Sequence, residues 1–219
     1  AYDSLAVGPG IGIDNDDWQK SKDYLIGFKG LLILDADALN RIAQSKLGSK
    51  FFLERKFKTW ITPHSREFLR LFPEIKGENN VGLALKAAKE FNISVLLKGA
   101  NSVVANNKNA WQLSGTDSQT ARAGLGDLLS GFLAGSSAID LAFYRNITTE
   151  FFAKYTLLHS YAASKCKTGS NAHDIGYELS KLMRNRKTRQ ISWKKQFKRV
   201  IFSFKHINRE ILHEIWSPY

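Results

Sequence analysis

Short apolar runs alternate with stretches of helical spacing along most of this chain, and no other feature constrains the fold as much. "LAV" (5–7) leads into a "GPGIG" turn and then "DNDDWQKSKDYLI", whose acidic residues sit where a helix N-terminus favours them. "GLLILDAD" (30–37) has the continuous apolar character of a buried strand, and the helical "ALNRIAQSKL" follows. "TWITPH" (59–64) is a third strand, stopped by Pro63 ahead of the helical "SREFLRLF". "VGLALKAAKEF" (81–91) predicts a helix and "ISVLLKG" (93–99) a fourth strand, while "SVVAN", "NKNA" and "WQLS" predict a hairpin. Strands alternating with helices in this way predict an α/β chain with a mainly parallel sheet flanked by helices.

Polar groups gather where these strands end: "GPGIG", "DAD", "TPH" and "KGA". Open α/β sheets bind ligands outside the carboxyl ends of their strands, so four polar ends in succession predict one site. A fifth segment, "ARAGLGDLLSG" (121–131), sets Gly124 and Gly126 around one leucine and follows them with Asp127. The stretch after it, "LLSGFLAGSSAIDLAF", predicts a buried helix starting at the glycines, where free N–H groups suit an anion such as a phosphate. Asp127 there is either a helix cap or a base held beside the anion. "TEFFAKYTLLHSYAASK" and "HDIGYELSKLM" predict two more helices, with His159 a packing residue.

Charge is distributed unevenly. Of the net +12, residues 181–219 carry +9, with eleven Lys/Arg against two Glu. The body has neither zinc-finger spacing nor an RNA-binding aromatic signature, so no nucleic-acid partner is expected. Cys166 is the single cysteine, which excludes an intrachain disulfide framework and predicts a reducing, cytoplasmic setting without a secretory leader. No uninterrupted apolar run is long enough to cross a bilayer.

Five segments in order, "AVGPGIG" (6–12), "LILDADALN" (32–40), "ITPHSREFLRLF" (61–72), "LLKGANSVVA" (96–105) and "AGLGDLLSG" (123–131), resemble the ADP- or ATP-dependent NAD(P)H-hydrate dehydratases of the ribokinase-like superfamily. The resemblance implies a three-layer α/β/α fold over residues 1–180, N-terminally incomplete because the family's first strands precede these segments. Residues 181–219 then form a basic helical extension, with Trp193, Phe197, Val200, Phe204, Ile207 and Ile211 on one apolar face. The implied chemistry is cofactor repair: phosphorylation of the ring hydroxyl of hydrated NADH or NADPH from ADP or ATP, then loss of phosphate.

On this resemblance Asp127 is the base, and Gly124 and Gly126 offer N–H groups to the transferring phosphoryl. Lys98, Gly99, Ala100, Asn101 and Ser102, with Gly126, would face the nucleotide. Gly8, Gly10, Gly12 and His64, with Asp127, would line the dinucleotide pocket, and Asp35 and Asp37 would order Mg²⁺ through water. Each position keeps a structural alternative: His64 as a cap of the "SREF" helix, Lys98 as an exposed strand end, Asp35 or Asp37 as a cap of "ALNRIA", and "GPGIG" as a tight turn.

The chain departs from the family at "DSQTAR" (117–122), where Gln119 and Arg122 replace the usual glycine and threonine. Two other functions stay open at this stage. One is a ribokinase-like kinase of a small alcohol; the other is a catalytically weakened partner-binding module. A homo-oligomer is expected, and a membrane-surface role for the C-terminal helix is the less favoured alternative to protein packing.

Overall fold

The computed structural model describes residues 3–12, 18–113, 123–167 and 169–184. Strands β1 (Ser4–Val7), β2 (Leu31–Leu34), β3 (Thr59–Ile61) and β4 (Ser94–Leu97) run parallel. Strands β5 (Ser102–Ala105) and β6 (Ala110–Leu113) form the expected antiparallel hairpin, and β5 pairs antiparallel with β4. Order in the sheet follows order in the chain, from β1 to β6. The chain crosses over through α1 (Trp18–Gly27), then α2 (Ala36–Gln44) with the short α3 (Phe51–Glu54), then α4 (Ser65–Leu71) with α5 (Asn80–Phe91). After the hairpin come α6 (Leu125–Tyr144), α7 (Thr149–Lys165) and α8 (Ala172–Arg184).

Strand side chains alternate between two faces, so each strand supplies two cores. Leu32, Leu34, Ile61, Val95 and Leu97 join Leu39, Ile42, Phe52, Phe68 and Phe91 from the crossover helices. Leu31, Ile33, Trp60 and Leu96 meet Leu129, Leu133, Phe152 and Tyr155 from α6 and α7. Parallel strands laid down in sequence put successive crossovers of one hand on the same face, which leaves the other face to α6 and α7. Trp60 stacks on Phe152 there, with ring centroids 4.5 Å apart. The result is a helix–sheet–helix sandwich. Each strand leucine, isoleucine or valine fully buried in it contributes about 1.5–3 kcal/mol.

Two strands are shorter than their apolar runs. The 30–37 run divides because the Asp35 side chain accepts the Ala36 N–H, caps α2 and leaves Asp37 in the first helical turn. The 59–64 run leaves the ladder at Ile61, since Pro63 has no N–H, and returns as a single bridge between His64 and Lys98. Helix α6 also differs from expectation. It is buried on one side only, through Leu129, Ser130, Leu133 and Ser137, while Ile139, Phe143 and Tyr144 stay exposed. Its inner side rests on β1 and β2, with Ser4 Oγ donating to the Ala134 carbonyl at 2.6 Å. Helix α8 runs through Arg184, past position 180. The acidic residues 14–17 and the apolar stripe beginning at Trp193 lie outside the described residues.

Candidate active site

The carboxyl ends of β1, β2 and β4 meet the first turn of α6 around one buried carboxylate. Asp35 is 1% exposed. Its Oδ1 accepts the Lys98 ammonium at 2.7 Å and the Ala36 N–H at 2.9 Å, while its Oδ2 accepts the Ser130 hydroxyl at 2.8 Å. Three elements distant in sequence are thereby tied together. Lys98 keeps about a quarter of its side chain exposed, so its charge is anchored on one side and open on the other. A Cβ on Gly126 would stand 3.7 Å from both Asp35 Oδ2 and Lys98 Nζ. The glycine turn therefore lies directly against the anchored pair.

Gly124 begins α6 in the left-handed region (φ +76°), a conformation that glycine takes without a Cβ penalty. No side chain caps the helix there. The first intrahelical bond is Leu128 N–H to the Gly124 carbonyl, so the N–H groups of residues 125–127 have no acceptor within the helix. Asp127 is exposed, and its carboxylate has no hydrogen-bond or ion-pair partner among the described residues. Asp127 does not cap α6, whose N-cap position is Gly124.

His64 does cap. Its Nδ1 accepts the Arg66 and Glu67 N–H groups, and Glu67 Oε2 takes the His64 N–H, a capping box that starts α4. Nε2 is left on a half-exposed side chain, 3.6 Å from Glu67 Oε1. The backbone N–H of Lys98 donates to the Pro63 carbonyl at 2.8 Å, which sets His64 beside Lys98. The loop Gly99–Ser102 closes on itself, with Ser102 Oγ accepting the Gly99 N–H and donating to its carbonyl.

The "GPGIG" segment is a tight turn held from α2. Asp37 Oδ2 accepts the Gly12 N–H at 3.0 Å, and Arg41 donates to the carbonyls of Gly12 and Ile11 at 2.6 and 2.9 Å. Gly8 (φ +138°) passes so near Asp35 that a Cβ would lie 1.7 Å from its carbonyl oxygen. Gly10 and Gly12 also have positive φ but face open space. Ala36, beside this junction, is one of three non-glycine residues with positive φ among the described residues. Strain of this kind costs on the order of 1–3 kcal/mol and collects at functional sites. Arg41 and Ser130 were not singled out by sequence: each looks like an ordinary helix residue until its partner from another strand end is in place.

His159, on α7, is 4% exposed, and its Nε2 is buried without a partner among the described residues. Burial pushes the imidazole down to about 4, offset in part by a hydrogen bond to the Leu125 backbone. The unfolded chain binds a proton near pH 6.5 and the folded chain only near pH 4. Stability is thus full above about pH 6.5 and falls as pH drops toward 4, by up to about 1.4 kcal/mol per pH unit. Denaturant titrations at a series of pH values should show that fall in the wild type and a shallower one in His159→Leu; equal slopes would contradict it.

The family model described as NAD(P)H-hydrate dehydratase matches residues 1–184. The chain belongs to that family. It is 36% identical over 135 residues to the bifunctional NAD(P)H-hydrate repair enzyme Nnr of Synechocystis, which covers 61% of this chain and 25% of that protein. The chain thus spans about a quarter of the length of this curated relative of the family. Among solved structures, a ribokinase-like superfamily protein from Enterococcus faecalis superposes with TM-score 0.70 at 23% identity, covering 83% of this chain and 63% of that one. An ADP/ATP-dependent NAD(P)H-hydrate dehydratase from Bacillus subtilis, co-crystallized with ATP/Mg²⁺, gives 0.63 at 20% identity, covering 83% and 64%. At that identity both likenesses speak for the fold alone, and the fold is ribokinase-like. The family's loop departure at 117–122 lies outside the described residues. No helix among the described residues is long and apolar enough to cross a membrane.

Proposed function

We propose that this chain carries out the ADP- or ATP-dependent dehydration of hydrated NADH and NADPH. The observation that carries the proposal is Asp127, an exposed carboxylate without a partner among the described residues, in the first turn of a long helix whose Gly126 lies against a lysine anchored by a buried aspartate. In the proposed reaction Asp127 takes the proton of the ring hydroxyl as its oxygen bonds to the transferring phosphorus. The bond from that phosphorus to the nucleotide's leaving oxygen breaks. Phosphoryl transfer asks mainly for position and charge, and a carboxylate base suffices. The N–H groups of residues 125–127 and the Lys98 ammonium stabilise the transferring oxygens. The phosphate ester then leaves with its C–O bonding pair, and the adjacent ring carbon gives up a proton to restore the double bond.

Nucleotide contacts fall to Lys98 and the Gly99–Ala100–Asn101–Ser102 loop. Gly8, Gly10, Gly12 and the half-exposed Nε2 edge of His64 face the dinucleotide. Mg²⁺ is an ion that keeps several of its waters and is held chiefly by substrate phosphates with one or two carboxylates. Mg²⁺ would supply charge neutralisation on those phosphates. Asp37, with one oxygen on Gly12 and partly exposed, has more capacity left for its waters than Asp35, whose two oxygens are both engaged. A cytoplasmic homo-oligomer completes the proposal, with Ile139, Phe143 and Tyr144 as apolar surface that such an assembly would cover.

The division of the site is tested by binding. Lys98→Ala should weaken ADP or ATP by about 10-fold or more, the loss of one charge-assisted contact, and leave the hydrated dinucleotide nearly unaffected. His64→Ala should do the reverse. Calorimetric titrations giving equal losses for both ligands in both variants would refute the assignment.

A further inference from the structure

We infer that Arg41 is a positioning residue for the hydrated dinucleotide: with Asp37 it clamps one peptide of the 8–12 turn along helix α2 and so presents the unengaged Gly10 N–H to that ligand. The inference rests on the reaction proposed above. Asp37 and Arg41 are four positions apart on α2 and share one face of it. Between them lies the Ile11–Gly12 peptide. Its N–H donates to Asp37 Oδ2 at 3.0 Å, and its C=O accepts from Arg41 Nη2 at 2.9 Å. A planar trans peptide points these two groups in opposite directions, so an acceptor and a donor one helical turn apart hold it at both ends. Arg41 Nε adds a third bond, to the Gly12 carbonyl at 2.6 Å.

The clamp sets a nearly buried charge against residues that belong to neither core. Arg41 is 8% exposed, with its guanidinium carbon 5.8 Å from the centre of the buried Trp18 ring, whereas Gly10, Ile11 and Gly12 are exposed. A methionine or leucine would cover Trp18 without desolvating a cation. What the guanidinium adds is a fixed fork of charge-assisted donors, which holds a loop that apolar packing does not reach. That loop offers one donor of its own. Pro9 and the left-handed Gly10 (φ +69°) are the central residues of a turn closed by the Ile11 N–H on the Gly8 carbonyl at 3.3 Å, in the manner of a type II turn. The Gly10 N–H takes no part in that bond and has no acceptor among the described residues. Gly8, at the base of the turn, lies against Asp35, which both caps α2 and anchors Lys98. One helix thereby fixes the turn and the lysine relative to each other.

Arg41→Met and Arg41→Lys in the full 219-residue chain test this. Methionine keeps an apolar stem over Trp18 and removes every donor, while lysine keeps the charge without the fork. In the Met variant, hydrogen exchange at the Gly12 amide should quicken by about 10-fold or more and the Gly10 resonance should shift, with β4 and α5 exchanging as in the wild type. The Kd for hydrated NADPH, read by calorimetry, should rise by about 10-fold or more, while that for ADP or ATP stays within about 2-fold. In turnover the same change should appear as a raised KM for the dinucleotide with kcat within about 3-fold. Lysine should fall between Met and the wild type on each readout. A general loosening of the fold would instead weaken both ligands alike. Equal losses for both ligands, or a wild-type Kd for hydrated NADPH in a folded Met variant, overturns the inference. Should Met not fold, Lys must show the same split between ligands, and equal losses or none overturn the inference there too. A wild-type chain that binds hydrated NADPH without dehydrating it refutes the proposed reaction alone, and the Kd values of the variants still decide the clamp. A wild-type chain that binds no hydrated dinucleotide overturns both.

Discussion

Asp127→Asn should lower turnover of hydrated NADH or NADPH by about 10²–10⁴, the range for losing a positioned acid or base. Fold and nucleotide affinity should survive, because the carboxylate is exposed and supports no contact among the described residues. Asparagine keeps the shape but cannot accept the hydroxyl proton. The expected signature is therefore a fall in kcat with little change in KM, read by steady-state kinetics alongside a thermal melt. Wild-type turnover by a folded Asp127→Asn chain would remove the base from the account. A small-alcohol kinase would show the same sensitivity at Asp127, so this variant tests the role of the residue, whereas the product identifies the reaction.

Gly8→Ala should produce the largest loss of stability of any conservative change near the site. The added methyl would stand 1.7 Å from the Asp35 carbonyl oxygen, a backbone atom that no rotamer change moves aside, at a φ of +138° that L residues rarely adopt. Strain of this kind should cost at least about 3 kcal/mol, lowering the melting temperature by roughly 10 °C in a domain of this size. Binding should suffer too, since displacing Asp35 displaces Lys98 and Ser130 with it. Gly10→Ala is the control: its φ is +69° but its Cβ meets open space, so only the left-handed penalty of about 1–2 kcal/mol applies. Equal melting temperatures for the two variants would contradict the close approach.

The strands, and a mainly parallel sheet with a hairpin, were legible because the apolar runs are short, regularly spaced and ended by polar groups. The polar ends after β2 and β4 do come together in the fold, as Asp35 and Lys98. What the sequence could not display was partnership. Asp35 and Lys98 stand 63 positions apart, and Asp35 and Ser130 stand 95 apart, so only the sheet brings them together. His64 shows a second limit, since a single side chain caps α4 through Nδ1 and still offers Nε2; cap and ligand contact, weighed as alternatives, are compatible in one imidazole. Helix α6 shows a third. Its composition is small and apolar throughout, which suggests burial all round, yet only the side on β1 and β2 is covered among the described residues.

Product analysis with the full chain tests the central claim most directly. Hydrated NADPH, Mg²⁺ and ADP or ATP are incubated with the protein, and NADPH, inorganic phosphate and phosphorylated hydrate are followed together. The account predicts NADPH and phosphate appearing in equal amounts, dependent on the nucleotide and lost in Asp127→Asn. A phosphorylated product that accumulates without NADPH, or hydrated NADPH left unchanged while the nucleotide stays intact, would contradict it.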